Sequence, residues 1–326
     1  MRVTRLGFGS AEIGGLYRPV GDADALAVLH HAWESGIRYF DTAPLYGYGN
    51  SELRLGRMLA GRRREGFVVS TKVGRLLHPV DALPPGADVD HQRFDGTDDA
   101  FYQGTPAMRV VFDYSYDGVR RSVEASLERL GLDRIDILYI HDPDDHWEAA
   151  IRGAYPALHD LRGEGAVGAI GAGMNQAEML ARFAREGDFD CFMLAGRYTL
   201  LDQSALVELL PLCVEKNISI VIAGVMNSGI LADPRPGSRF DYVPADEEWL
   251  ERARAIQAVC ERHGATLKAL AVQFVLAHPA VTSLVAGVRR IEHLDDYPEL
   301  MRTTIPADLW AELRQDGLIP AEAPTP

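Results

Sequence analysis

Four residue types that together can move a proton stand at the ends of three short apolar runs. Asp41 and Tyr46 lie in RYFDTAPLYG (38–47), Lys72 closes FVVSTK (67–72), and His141 closes IDILYIH (135–141). A free phenol has a pKa of about 10 and exchanges its proton reluctantly at neutral pH. An ammonium beside it favours the phenolate, and a carboxylate paired with that ammonium keeps the cation charged and aimed. A neighbouring imidazole can hold the oxygen of a substrate. Each residue alone has an ordinary explanation: lysines snorkel, histidines satisfy carbonyls, and an aspartate before a turn bonds its own backbone. The expectation that they act together rests on their shared position at one end of consecutive strands.

The surrounding pattern says how such strands are arranged. β-Branched or aromatic runs at 5–9, 37–41, 67–72, 135–141, 166–173, 189–194, 218–224 and 282–287 alternate with amphipathic stretches at 22–36, 50–61, 116–131, 147–163, 175–186, 203–216, 246–277 and 291–301. The runs lack clean polar/apolar alternation, as parallel strands buried on both faces do. Eight strand–helix units predict an α/β fold, a closed (β/α)8 TIM barrel, in one domain over 1–318, with 319–326 (PAEAPTP from Pro320) a flexible tail. Asp22, Asn50 and Asp117 suit helix N-termini, and Gly36, Gly61, Gly131 and Gly264 follow helical runs. In such a barrel, chemistry gathers at the C-terminal ends of the strands, where all four residues fall. The connection after the third strand, 75–116, far exceeds the typical βα loop of about two to six residues. Its aromatics Phe94, Phe101, Tyr102, Phe112 and Tyr114 suggest an inserted lid over the barrel mouth.

Composition removes several other readings. Hydrophobic residues make up 47% of the 326, enough for a sizeable core, and the net charge of -14 argues against nucleic acid as a partner. The basic cluster GRRREG (61–66) reads as a helix C-terminal cap. Cys191, Cys213 and Cys260 have neither metal-ligand nor CxxC spacing and read as core residues; no metal is expected. The N-terminus does not resemble a signal peptide, and no apolar run reaches the roughly 18 residues that span a bilayer. A cytoplasmic protein without a membrane partner is expected; no feature fixes an oligomeric state.

GIRYFDTAPLYGYGNSELRLG, STKVG and SVEASLERLGLDRIDILYIHDPD closely resemble the signatures of the aldo-keto reductases, and the similarity runs over nearly the whole chain. The resemblance implies that Asp41, Tyr46, Lys72 and His141 are a catalytic tetrad, with Tyr46 exchanging the proton and His141 orienting the substrate oxygen. A hydride must move as well, and since no side chain stores one, a nicotinamide cofactor is implied. Position by position, the resemblance places that dinucleotide against Gly9, Ser10, Asp41 and Asn175, then Gly224, Val225 and Met226. Its adenosine end falls to Gly287, Arg289, His293 and Asp296 in LVAGVRRIEHLDDY (284–297). His293 stands where NADP-preferring members often carry arginine, which leans the expectation towards NAD, with NADP retained because Arg289 and Arg290 are near.

Three departures point to one branch. Met174–Asn175 replaces the usual Ser-Asn, AGRY (195–198) replaces QxEY, and Ala223 stands where many members place an aromatic. Together with GFGSAEIGGLY and FDYSYDGVRRSVEASLERL, they resemble the sugar 1-dehydrogenases. That implies oxidation at C1 of an aldopyranose of the L-fucose, L-galactose or D-arabinose type to its lactone, with Tyr46 as the base. Tyr17 and Trp147 are expected to join Tyr46 and His141 against the sugar, with His146, Arg18 and Met226 as further wall candidates. The alternatives are a pyridoxal 4-dehydrogenase and a non-catalytic subunit that senses the nucleotide.

Overall fold

The computed structural model describes residues 1–90 and 101–326. Its eight barrel strands are β1 (Leu6–Gly9), β2 (Tyr39–Asp41), β3 (Val68–Val73), β4 (Ile137–His141), β5 (Ala169–Met174), β6 (Cys191–Ala195), β7 (Ser219–Ala223) and β8 (Val281–Gly287). All pair in parallel, and β1 closes the ring by pairing with both β2 and β8. Every residue of β4 and β5 is buried, as expected for strands covered on both faces. The register sets strand ends side by side: Gly9 opposite Asp41 and Gly287, Asp41 opposite Ser70, Lys72 opposite Tyr139, and His141 opposite Gly173.

The outer helices pack the main apolar core against the barrel wall. Those next to the site are α1 (Asp22–Glu34), α2 (Asn50–Leu59) and α3 (Tyr116–Leu130). The α3 N-cap is Ser115, whose hydroxyl accepts from the Gly118 amide, and not Asp117; Asp22 and Asn50 likewise open their helices without capping them. Arg62 caps α2 by donating to the Met58 carbonyl at 2.9 Å. The expected helix over 246–277 is two helices, Glu247–Arg262 and Leu267–Leu276. Gly264 at φ +67° breaks the first, and Thr266 starts the second by accepting from Ala269 N. A further helix, Ala307–Gln315, follows the barrel. The final residues, read from sequence as a flexible tail, lie against the domain: Ile319 and Ala323 are buried, and Arg314 donates to Thr325 Oγ1 at 2.7 Å.

The long connection after β3 is built around an antiparallel hairpin, Arg75–Pro79 with Met108–Phe112. Phe94 lies outside the described residues. Residues 101–103 return to the barrel mouth, where the Tyr17 amide donates to the Phe101 carbonyl at 2.9 Å and the Gln103 amide to Gly15 O at 3.0 Å.

The barrel interior holds Tyr39, Ile137, Tyr139, Ala169, Cys191, Met193, Val221 and Val285. Two glycines stand where a Cβ would meet a phenol ring or the neighbouring backbone. A Cβ on Gly7 would sit 2.7 Å from Tyr39 Cδ1; one on Gly171 would sit 2.0 Å from the Cys191 carbonyl oxygen and 2.9 Å from Tyr139 Cδ1. Gly171 has no room to adjust, because the nearer atom is backbone. A Gly171→Ala variant is expected to lose about 3 kcal/mol, the upper end for an overpacked core, and urea unfolding measures it.

Candidate active site

Lys72 reaches up from β3 into the barrel mouth and donates to Asp41 Oδ2 at 2.7 Å and to the Thr42 carbonyl at 2.9 Å. Both charged side chains are almost wholly buried. The second Asp41 oxygen, Oδ1, accepts from Ser70 Oγ at 2.7 Å. Burial pushes the Asp41 carboxyl above the ordinary carboxylate range, while Lys72 and the Ser70 hydroxyl pull it back. Tyr46 sits over this pair, its ring centroid 4.6 Å from Lys72 Nζ. The His141 ring stands edge-on to Tyr46 at 5.8 Å. The four residues predicted from three strands and a loop therefore meet in one cluster. A cation held beside the phenol stabilises the anion that forms when the proton leaves.

The cluster lines a cavity of about 470 Å³ that continues along the ends of β5 to β8. Gly9, Tyr17, Asn175, Gly224, Val225, Met226, Gly287, Arg289, His293 and Asp296 all line it. Four predicted contacts do not. Ser10 turns instead to α2, where Ser51 Oγ donates to its hydroxyl at 2.6 Å. Trp147 is packed between helices, its indole 4.6 Å from the Phe183 ring and 3.8 Å from the Arg182 guanidinium, so it offers no face to a substrate. His146 also points elsewhere, to Asp88 at 2.9 Å, and Arg18 lines a separate surface cavity beside Arg289 and Arg290.

The family follows from the whole chain as well as from this cluster. The model of the Aldo/keto reductase family matches residues 5–316. The chain belongs to that family. Among its aldo/keto reductase relatives, D-threo-aldose 1-dehydrogenase of a Pseudomonas species is 45% identical, over 98% of this chain and 96% of its own. Pyridoxal 4-dehydrogenase of Microbacterium luteolum is 44% identical, over 98% and 95%. Among solved structures, the aldo-keto reductase AKR11C1 from Bacillus halodurans superposes with a TM-score of 0.72 at 25% identity, over 98% of this chain and 94% of that one.

For an aldo/keto reductase, the donor set along the cavity fits a dinucleotide. Lys268 and Arg289 bring cations to its β8 end, Asn175 brings an amide, and Gly173, Gly196, Gly224 and Gly287 leave bare backbone along the wall. Asp296 binds Lys268 at 3.2 Å, and Glu12 binds Arg289 at 3.3 Å. Among the described residues no His/Cys/Asp/Glu cluster could hold a metal, and no helix is long and apolar enough to cross a membrane.

Several lining residues had not been picked out from the sequence. Glu12 follows β1, and burial raises its carboxyl pKa against the pull of Arg289 and Arg18. Asp142, directly after His141, is held at φ +37° with its carbonyl taking the Tyr114 hydroxyl at 2.9 Å. Asp241 lies across the cavity, accepting from Asn175 at 3.3 Å and Arg197 at 2.6 Å. Asn227 ties the turn after β7 to that after β6 by donating to Gly196 O at 3.2 Å. The HDPD run was the only local signal for any of these; the others are brought in by loop packing.

The raised Asp41 pKa gives activity and stability opposite senses. The folded state favours the neutral acid, so this group's contribution to stability is present below pH 3.8 and lost as pH rises through its folded value. The Lys72 ion pair needs the carboxylate and opens on acidification through that same raised value. Turnover is therefore expected to fall on the acid side at a pH above 3.8 while far-UV circular dichroism is unchanged. Lys72→Met, which leaves Asp41 buried without its cation, should cost roughly 3–5 kcal/mol in denaturant unfolding at neutral pH.

Proposed function

We propose that this protein is an NAD(P)-dependent oxidoreductase that oxidises C1 of an aldopyranose to the lactone. The observation that carries the reading is the buried Lys72–Asp41 pair beneath Tyr46, opening into a cavity of about 470 Å³ that runs along the ends of β5 to β8. A nicotinamide ring bound along the β5–β8 wall would take the hydride from C1. Tyr46 takes the proton of the anomeric hydroxyl as the C1–O double bond forms, so the proton leaves on the phenol and the electron pair with the hydride. Lys72 stabilises the phenolate that receives it, and Asp41 holds Lys72 charged. His141 hydrogen-bonds the anomeric oxygen and fixes it near Tyr46.

The substrate end of the cavity combines two chemistries. Tyr17, Phe101, Tyr102 and Tyr242 supply aromatic faces, while Asp142, Asn175 and Asp241 supply polar groups. Sugars present both C–H faces and hydroxyls, and a wrong isomer leaves such polar groups unpaired. The similarity to D-threo-aldose 1-dehydrogenase agrees with this reading. The nearly equal identity to pyridoxal 4-dehydrogenase supports a second substrate, the cyclic hemiacetal of pyridoxal, which offers the same hydroxyl-bearing carbon to Tyr46. We place the described part of the insertion around Phe101 and Tyr102 over the mouth as a lid, because Tyr102 lies tilted 6.2 Å from Tyr46 and Phe101 meets Tyr17 at 5.3 Å.

NAD is the favoured coenzyme. His293 replaces a fixed cation, and the Glu12 carboxylate already occupies Arg289, so a 2′-phosphate meets fewer free donors and a nearby negative charge.

NADH or NADPH formation from L-fucose, L-galactose, D-arabinose and pyridoxal tests the reading; no turnover of any sugar with either coenzyme would remove it. Tyr46→Phe is expected to lower kcat/KM about 10²–10⁴-fold, as loss of a positioned acid–base group does. Glu12→Gln should raise kcat/KM with NADP relative to NAD by about tenfold, equivalent to ~1.4 kcal/mol.

A further inference from the structure

Below the Lys72–Asp41 pair, a row of hydroxyls runs into the barrel interior. Ser70 Oγ donates to Asp41 Oδ1 at 2.7 Å. Tyr39 OH is 3.1 Å from Ser70 Oγ, Tyr139 OH is 3.3 Å from Tyr39 OH, and Cys191 Sγ is 3.7 Å from Tyr139 OH. All of these residues are buried. An ionised carboxylate only accepts, which fixes the direction of the whole row. With the Ser70 hydroxyl donating to Asp41, Ser70 accepts from Tyr39, Tyr39 from Tyr139, and Tyr139 from the Cys191 thiol.

The row is made of groups that keep their protons. Burial raises both Tyr39 and Tyr139 well above the usual phenol value and pushes the Cys191 thiol up to about 12. Volume alone does not explain the phenols. Two phenylalanines would fill the same space without burying two hydroxyls among Ile137, Ala169, Val221 and Val285, and barrel interiors are ordinarily packed with such apolar side chains. The barrel also gives up a side chain at Gly7 to admit the Tyr39 ring.

We propose that Ser70, Tyr39 and Tyr139 are positioning residues: a directed chain of O–H dipoles, all aimed at Asp41 Oδ1, that holds Asp41 ionised and thereby keeps Lys72 charged beneath Tyr46. Hydrogen bonds in a row polarise one another, and a bond to a charged acceptor is about twice as strong as a neutral one. Lys72 and Ser70 of β3 bond Asp41 directly, Tyr39 of its own strand and Tyr139 of β4 follow behind Ser70, and Tyr46 and His141 line the same cavity. Glu52 of α2 is turned away, accepting from Thr71 at 2.7 Å and Arg129 at 2.6 Å. The chain depends on the catalytic reading of the Asp41–Lys72 pair but not on which substrate is oxidised.

The primary measurement is the titration of the Asp41 carboxyl by ¹³C NMR in full-length protein without coenzyme, assigned with Asp41→Asn. The midpoint is expected to rise by about one pH unit in Ser70→Ala, as follows from loss of a bond to the charged form, and to return in Ser70→Thr. Tyr39→Phe, which keeps ring and volume, should raise it by about half as much. The acid-side fall of kcat/KM should move in the same direction in the same variants. Lower turnover or lower stability with the Asp41 midpoint unmoved in both Ser70→Ala and Tyr39→Phe would overturn the proposal. A moved midpoint in a protein that oxidises none of the sugars would keep the chain and reject only the substrate reading.

Discussion

A carboxylate and an ammonium, both nearly dry, face each other at 2.7 Å in the mouth of the barrel, and the rest of the site is arranged around that contact. Such a pair gains little net stability, because removing two charges from water costs several kcal/mol per ion and the attraction only offsets it. Its value is electrostatic and local. With water excluded, the Lys72 charge acts on the Tyr46 ring through a weakly screening medium, and the pair needs no reorganisation when the phenol gives or takes its proton. The remaining donors and acceptors are filled in turn: Nζ by the Thr42 carbonyl, Oδ1 by Ser70.

Only strand register could build this without moving loops. Asp41 lies opposite Ser70, and Lys72 lies on the same strand two residues further on, so the two Asp41 partners come from one side of β3 at successive inward positions. β4 then brings Tyr139 opposite Lys72, and His141 two residues beyond it at the rim. The period-2 alternation of a strand thus stacks a support layer directly below the reacting layer. A one-residue slip would turn every one of these side chains out of the barrel.

This explains which parts were legible in the chain. The barrel could be read because strand–helix alternation and two-faced burial are local patterns, and the reacting groups because their types and strand-end positions limit what they can do. Trp147 was misplaced because its position after the histidine strand gave its sequence distance from the site but not the direction of its side chain, which Phe183 and Arg182 settle. Gly264 was legible as a residue that follows a helical run, but apolar periodicity on either side of it still read as one helix over 246–277. Glu12 and Asp241 reach the cavity through packing between loops far apart in the chain, and no spacing rule connects Glu12 with Arg289 or Asp241 with Asn175.

Ser70, Tyr39 and Tyr139 illustrate the same limit from the other side. As letters in VVSTK, IRYFD and ILYIH, they are ordinary strand residues, and a tyrosine in a strand calls for no explanation. Their meaning comes from closure of the sheet, which brings three strands' inward positions within hydrogen-bonding distance and buries the hydroxyls away from bulk solvent. A phenol there must find a partner or destabilise the core, and the partner it finds is the one that bonds the Asp41 carboxylate. Gly7 carries the same constraint: its missing side chain is space that the Tyr39 ring takes inside an apolar barrel.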